Sequence, residues 1–599
     1  MGLGLWAGRK EDTAEEYFMA GRKTPWWGVA ASIFGSNISA NQFVGMMGLG
    51  FSVGFAQSNF EISAVAGLLV MCYAFLPIYR KLKVFTLSEY LEKRYDSRCR
   101  LVYALIMVFV MVVIHTVPAF YIGSLSINIL LQGGPGEIEF MWYAAGVLIM
   151  AVVCGSYTIL GGLKAVILTD AIQSVLMLFA GLMVGWLTFS QPEVGGWSGM
   201  VSQDIVGAEK LHLYRPTDDP QLPWSGVLIG LIILHFNYWG TNQFIVQRAI
   251  SAKSDKAART GIIAAGFLKL LIPFYSVGAG IAAYYLFQKR GMDVVQDAVF
   301  TTLLAELVAP IGFGMLGIVA AGLMGAILSS IDSMMNSAAT IVTFDVYQRY
   351  FRPEASEKQL IWVGRICILV FVVSGTLISL FTIDPNSRDS FYLTLTRQQS
   401  KLVIGIVVAF LMGMLWQRTT ATGGLAALLS GIVFGYTLPI GYQWLIAREP
   451  ALLMHQAPIS GPIFGKTLNF MHTAFLNFVL STLVCVVVSL ATPKNPEKAR
   501  FTWTGLEIFS LAGIRRFFAA LAVSIAIYVA LGLALYREHL SPLATGTLAA
   551  AWTLVLFLLA AKSSLQRAGK PIFPNIVVDD LFHAGALAAT AVFMMGYFA

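Results

Sequence analysis

Apolar residues fall in long unbroken runs separated by short polar segments. A helix needs about 20 apolar residues to cross the hydrocarbon core of a bilayer. Scanning for runs of that length gives about fifteen candidate spans: Trp26–Leu49, Phe60–Tyr79, Leu101–Leu131, Phe140–Leu160, Ala165–Phe189, Pro223–Val246, Gly261–Phe287, Ile311–Phe344, Leu360–Phe381, Leu402–Trp416, Ala421–Ile446, Leu468–Leu490, Phe517–Tyr536, Leu543–Ala561 and Leu581–Phe598. Continuous apolarity predicts helices, because the strands of a barrel would alternate.

Three spans are interrupted by polar residues. The first contains Phe34-Gly-Ser-Asn-Ile-Ser-Ala-Asn-Gln42 near its middle, and the sixth contains His235-Phe-Asn-Tyr-Trp-Gly-Thr-Asn-Gln243. Irregular backbone at membrane depth persists only where it is buried in protein or lines a cavity. The two breaks are five spans apart, an odd number, so the broken helices cross in opposite directions. That is the mark of an inverted repeat of two five-helix units with a binding site at the midplane. The eighth span carries Ala326-Ile-Leu-Ser-Ser-Ile-Asp-Ser-Met-Met-Asn-Ser337. Its serine hydroxyls bend a helix or free a carbonyl, which would help to build a cage of hard oxygens for a cation such as Na⁺. Helix packing alone accounts for isolated serines and glycines, and less well for three dense polar segments.

Charge orients the chain. The second loop holds Arg80, Lys81, Lys83, Lys93, Arg94, Arg98 and Arg100, and the sixth holds Arg248, Lys253, Lys256 and Arg259. The eighth holds Arg349, Arg352 and Lys358, and the twelfth Lys494, Lys498, Arg500, Arg515 and Arg516. All are even-numbered loops, so they share one side, the cytoplasmic one. The same clustering makes the net charge of +8 a matter of topology and a poor argument for nucleic-acid binding. Composition agrees: 57% of the 599 residues are hydrophobic and 12% charged, with a mean hydropathy of +0.72. Those values exclude a soluble, disordered, coiled-coil or disulfide-rich secreted protein. Cys72, Cys99, Cys154, Cys367 and Cys485 show no CxxC spacing and read as small core residues.

The polar stretch Ser190 to Leu222 is the longest and has room for a short surface helix, but no loop has room for a nucleotide-binding domain. No Walker-type loop and no HExxH is present, so direct ATP drive and metalloprotease chemistry are poor readings. Ionisable residues inside spans cost roughly 2.5–3.5 kcal/mol at a helix centre and so point to function. Here they are Glu61, Asp170, Lys269 and Asp332. The bland alternatives are snorkelling of Glu61 and Lys269, and charge pairing of Asp170 with Lys164.

Four motifs carry a resemblance: Ser36-Asn-Ile-Ser-Ala-Asn-Gln-Phe-Val-Gly45; Gly161-Gly-Leu-Lys-Ala-Val-Ile-Leu-Thr-Asp-Ala-Ile-Gln173; Tyr238-Trp-Gly-Thr-Asn-Gln-Phe-Ile-Val-Gln-Arg248 with Ala252-Lys-Ser254; and Ser329-Ser-Ile-Asp-Ser-Met-Met-Asn-Ser337. With these the chain resembles the sodium:solute symporter family, most of all its sodium/glucose and sodium/galactose cotransporters, from about Glu15 to about Gly424. The resemblance implies an all-α polytopic membrane protein of LeuT-like fold. It places a ten-helix inverted-repeat core at 26–418 behind a cytoplasmic segment at 1–25, with further transmembrane helices at 419–599. Gly2–Gly8 reads either as a short interfacial tail or as the end of a missing helix, and the resemblance favours the second, because relatives usually begin with one more helix.

The resemblance also implies site residues. The coupling Na⁺ would lie between the first and eighth spans, on carbonyls of Gly35, Ile38 and Ala326 with Ser329 and Ser330. A second Na⁺ would involve Asp170. The sugar site would comprise Asn37, Gln42, Glu61, His235, Tyr238 and Lys269, with Tyr238 as an aromatic floor. A hexose is neutral, flat and rich in hydroxyls, and it suits amides, a carboxylate, an ammonium and a stacking ring. Departures from the galactose pattern are His235 for an amide, Ala64 for a serine, and Thr396–Arg397 where a sugar-contacting glutamine would be. The third span lacks the arginine that a sialic-acid carboxylate needs.

The expected function is Na⁺-coupled sugar uptake by a multi-pass protein of the plasma (inner) membrane. It needs no cofactor beyond Na⁺ as coupling ion, and no obligate protein partner is evident. Inositol, another polyol or a small carboxylate as cargo is the alternative, and a sugar-gated sensor on the same fold is a third reading.

Overall fold

The computed structural model describes residues 12–38, 40–132, 138–206, 209–217, 219–384, 391–448, 464 and 467–599, with backbone alone at 40–43, 129–132, 157 and 391–392. The segment that would hold the end of a missing helix, Gly2–Gly8, lies outside the described residues. Each of the fifteen apolar runs is helical. Among the described residues, eleven helices are long and apolar enough to cross a membrane, and Phe140–Ser156 is a shorter apolar one.

Core helix 1 is divided into Trp26–Asn37 and Ala40–Ser52. Core helices 2 and 3 are Phe55–Lys81 and Ser97–Asn128. Core helices 4 and 5 are Phe140–Ser156 and Thr158–Phe189. The chain kinks near the start of core helix 5 at Gly162, whose φ of 52° and ψ of −164° belong to a region open to glycine alone. Core helix 6 runs over 224–241 and resumes as Gln243–Ile250. Core helices 7 to 10 are Asp255–Arg290, Met315–Phe351, Glu357–Thr382 and Leu393–Leu415. The last of these is longer than the apolar run Leu402–Trp416, because Thr396, Arg397, Gln398 and Gln399 continue the helix in polar sequence.

Core helix 5 packs against both core helix 1 and core helix 8, and core helix 7 packs against core helix 1. The two broken helices therefore sit inside the bundle, where their exposed backbone meets protein. The loop at 190–222 does hold a short helix, Gly196–Val206. Ahead of core helix 1, Ala14–Met19 is capped by Thr13, whose hydroxyl accepts from the Glu16 amide. This segment is built into the core. Tyr17 donates to the Ile159 carbonyl at 3.0 Å, and the Phe18 carbonyl accepts from Gln247 at 2.6 Å.

Beyond the core, Ala421–Arg448 and Phe470–Ala491 pack on core helix 10 and on each other. Leu511–Tyr536 and Pro542–Arg567 follow, and Asp580–Tyr597 packs on Pro542–Arg567 and on core helices 2 and 7. Arg259 of core helix 7 pairs with Asp580 at 3.3 Å, and Tyr73 of core helix 2 donates to the same carboxylate at 3.3 Å.

Not every basic residue counted in the loops faces water. Arg94 is 1% exposed, and its guanidinium donates to the carbonyls of Gly413, Thr419 and Trp416 at 2.7, 3.0 and 2.9 Å. It ties the last turn of core helix 10 to the chain that follows it. Arg94→Ala is expected to cost about 3 kcal/mol or more, since the buried carbonyls of Gly413 and Thr419 lose a charged donor. Thermal unfolding of the purified protein in lipid nanodiscs, with Arg94→Lys as an intermediate case, measures that loss.

Candidate functional site

At the second break, core helix 6 is π-helical over Phe236–Thr241, and Asn242 is extended at φ −95° and ψ 120°. Two carbonyls freed there are taken up by tyrosines. Tyr79 of core helix 2 donates to Gly240 and Tyr103 of core helix 3 donates to Thr241, each at 2.8 Å. At the first break the α-helix ends at Asn37, and Ile38 stands at φ −82° and ψ 79°, its amide still donating to Phe34 at 2.9 Å.

Between the breaks lies a cavity of about 110 Å³, many times the roughly 10–15 Å³ that one water needs. Asn37, His235, Tyr238 and Lys269 line it. Lys269 and Glu61, 3% and 0% exposed, form an ion pair inside the bundle. The Lys269 ammonium also donates to Asn37 Oδ1 at 2.6 Å and lies 5.3 Å from the centre of the Trp239 ring. Asn37 Nδ2 donates in turn to the Tyr238 hydroxyl at 3.1 Å. One hydrogen-bonded chain thus runs Glu61–Lys269–Asn37–Tyr238 across core helices 2, 7, 1 and 6. Snorkelling of Glu61 and Lys269 is ruled out by this pairing. Glu61 stands behind Lys269 and does not line the cavity. His235 shares a 2.8 Å hydrogen bond with Ser63. The Gln42 side chain lies outside the described residues.

A second polar cluster joins core helices 1, 5 and 8. Asp170, fully buried, accepts from Ser329 and Ser32 at 2.5 Å each and from Ser36 at 3.5 Å. Gly35 adjoins it, and a Cβ there would come within 2.7 Å of Ser174 Oγ and 3.2 Å of Ser329 Oγ. A side chain at Gly35 would require the Ser174 hydroxyl to turn away. Core helix 8 runs unbroken through the serines, and Ser330 donates back to the Ala326 carbonyl of its own helix at 3.0 Å. That contact occupies the proton of Ser330 and leaves lone pairs on its oxygen.

The model of the sodium:solute symporter family matches residues 17–431. The chain belongs to this family. As a symporter it has relatives named for sugars and polyols. It is 32% identical over 518 residues to a sodium/glucose cotransporter of Vibrio parahaemolyticus, covering 83% of this chain and 89% of the relative. It is 29% identical over 541 residues to the sodium/myo-inositol cotransporter 2 of Homo sapiens, covering 84% and 77%. Among solved structures it is similar to a Na⁺-coupled sialic acid symporter in a substrate-bound outward-open state, with a TM-score of 0.68 and 21% identity over 82% of this chain and 95% of that one. That likeness supports the inverted-repeat fold. The symporter is a multi-pass integral membrane protein of the plasma membrane.

Several residues of the symporter's polar clusters are missed by sequence reasoning. Arg248, counted above among loop charges, is fully buried, donates to Ser36 Oγ at 2.9 Å and bonds the Phe244 carbonyl. Ser32, Ser36 and Ser333 join the Asp170 cluster, Ser36 and Ser333 lying 2.8 Å apart. Ser32 and Ser36 lie four residues apart on one face of a helix, the one local signal available for them.

Glu61→Gln and Lys269→Met are each expected to destabilise the symporter by about 3–5 kcal/mol, because either leaves a buried charge without its partner. The double variant should recover most of the loss. Denaturation of the two single variants and the double variant in nanodiscs decides it, and purely additive losses would mean that the two charges do not interact.

Proposed function

We propose that this symporter couples inward movement of Na⁺ to uptake of a hexose by alternating access. The observation that carries the reading is the Glu61–Lys269–Asn37–Tyr238 chain beside the cavity. It offers donors and acceptors with no uncompensated charge, because Lys269 is neutralised by Glu61. A neutral solute rich in hydroxyls suits such a wall, and a carboxylate would need a cation that is not already paired. The names of the relatives, a sodium/glucose and a sodium/myo-inositol cotransporter, point the same way. Inositol or another polyol is the second reading, favoured by His235 in place of an amide, with Ser63 as its partner.

In this proposal Na⁺ binds between core helices 1 and 8 on the carbonyls of Gly35, Ile38 and Ala326 and the hydroxyls of Ser329 and Ser330, and a second Na⁺ involves Asp170. The Ser329–Asp170 hydrogen bond supports the idea that the two regions communicate. A serine oxygen that donates its proton to a carboxylate turns its lone pairs elsewhere and becomes a better cation ligand. Na⁺ can shift the transporter between its states only by its difference in affinity for them. The driving force suffices. At about 100 mV each charge contributes about 2.3 kcal/mol, and a tenfold gradient adds about 1.4 kcal/mol, together enough for roughly 500-fold accumulation per ion.

Uptake of radiolabelled glucose and myo-inositol into proteoliposomes, with and without inward Na⁺, tests the reading. Ser330→Ala should raise the Na⁺ concentration for half-maximal uptake about tenfold, one ligand's worth of about 1.4 kcal/mol, at near-normal protein levels. Unchanged Na⁺ dependence would remove Ser330 from the ion site, and uptake indifferent to Na⁺ would overturn coupling.

A further inference from the structure

On the cytoplasmic side of the core, Arg22, Arg80, Arg98, Arg100, Arg259 and Arg349 each pair with a carboxylate. The cytoplasmic ends of Leu511–Tyr536 and Pro542–Arg567 carry a different arrangement. Arg515, Arg516, Lys562, Arg567 and Lys570 are all exposed, and among the described residues none of them has a carboxylate partner. The carboxylates that follow them are engaged elsewhere: Asp579 accepts from the Leu581 amide at 2.9 Å, and Asp580 pairs with Arg259. Glu497 and Glu507 belong to the preceding loop, which is fastened to the core by Lys498 on the Glu92 carbonyl and by Lys81 on the Leu506 carbonyl.

The positive-inside bias fixes the side on which these cations stand, and packing brings them to one depth. The two helices are antiparallel neighbours, joined near their middles by Tyr528 and Thr553 at 2.7 Å and by Trp552 Nε1 donating to Ser524 Oγ at 3.1 Å. At about 1.5 Å per residue, Arg515, Arg516 and Lys562 lie roughly 12–20 Å from those contacts towards the cytoplasm, and Arg567 about a turn further. Half of a hydrocarbon core is about 15 Å, so the group falls at the level of the lipid phosphates. Lys570 follows the left-handed Gly569 that ends the second helix, its amide donating to the Leu565 carbonyl at 3.0 Å. Next to the arginines the surface is apolar. Phe517 and Phe518 are 62% and 47% exposed, and Ser524 is the single buried residue of Leu511–Tyr536.

We propose that the cytoplasmic ends of these two helices form a binding surface for an anionic phospholipid, its phosphate held among Arg515, Arg516, Lys562, Arg567 and Lys570 and its acyl chains lying along Phe517 and Phe518. Charge complementarity carries the choice of partner. A guanidinium matches a phosphate in shape as well as in charge, and basic residues at this level attract anionic headgroups. A second copy of the chain suits the face less well, because a two-fold axis beside it would bring two such groups of cations together.

The test is native mass spectrometry of the full chain, titrated with phosphatidylglycerol or with phosphatidylcholine of the same acyl chains. The wild type should bind its first phosphatidylglycerol at least tenfold more tightly than phosphatidylcholine, at about fivefold for each cation engaged. The pair Arg515→Gln with Arg516→Gln, and separately the pair Lys562→Gln with Arg567→Gln, should each weaken phosphatidylglycerol about tenfold or more and leave phosphatidylcholine unchanged. Arg515→Lys with Arg516→Lys keeps the charge and should stay within about threefold. Equal affinity of the wild type for the two lipids overturns the proposal, as does phosphatidylglycerol binding that neither glutamine pair weakens, or a loss in the lysine pair as large as in the glutamine pair. Dimers that form regardless of lipid charge, with no preference for phosphatidylglycerol, would give the face to a second copy and overturn it too. If one glutamine pair fails to accumulate, the other, on the neighbouring helix, decides.

Discussion

A main-chain carbonyl in the middle of a bilayer has no water to turn to, and that constraint governs this structure. Helices 1 and 6 of the core break at mid-depth, so each break must be supplied with partners by neighbouring helices. At core helix 6 the supply is built in, with Tyr79 and Tyr103 on the carbonyls of Gly240 and Thr241. Both tyrosines pack around Phe410, at 6.3 and 5.6 Å between ring centres, so core helix 10 holds them in place. At core helix 1 the neighbourhood is instead hydroxyls and a carboxylate: Ser32, Ser36, Ser329 and Asp170. The two halves of an inverted repeat have diverged, one break sealed by phenols and the other set among oxygens.

The same economy appears in the charges. Each buried cation in the core has an anion or carbonyls within reach. Lys269 meets Glu61, Arg94 meets three carbonyls, and Arg100 meets Asp345 and Glu92 at 2.7 and 2.5 Å. Breaking such a pair is costly even where its formation contributes little. Buried charge therefore fixes which helices belong together more than it adds stability. Core helices 2 and 7 are joined by the Glu61–Lys269 pair, and core helix 1 is drawn to them through Asn37.

Hydropathy acts over about 20 residues, so the positions of the helices were legible along the chain. The breaks were legible too, because amides and glycines are scarce in an apolar run. Asn37, Tyr238, Asp170 and Ser329, legible through their motifs, and Glu61 and Lys269, legible as charges inside apolar spans, lie in two hydrogen-bonded clusters. Other features rest on contacts that no local pattern records. Arg248 reads as a loop charge until core helix 1 brings Ser36, 212 residues earlier, against it. Ser330 could have pointed outward or back along its helix, and only the three-dimensional arrangement shows it bonding Ala326. His115 is one histidine in an apolar run, and nothing in the periodicity announces the π-helical turn, Val110–Thr116, that sets it on the cavity wall.

The last helix, Asp580–Tyr597, rests on core helices 2 and 7 and is tied to them through Asp580. These are the helices joined by the Glu61–Lys269 pair. Any tilt of that pair relative to core helices 3, 8 and 10 must carry the last helix along, together with Pro542–Arg567 packed on it. The end of the chain then works as an outrigger. In the alternating access proposed above it would widen the moving part, sweep lipid as the cavity changes sides, and make the thickness and viscosity of the surrounding bilayer a mechanical load on the transport cycle.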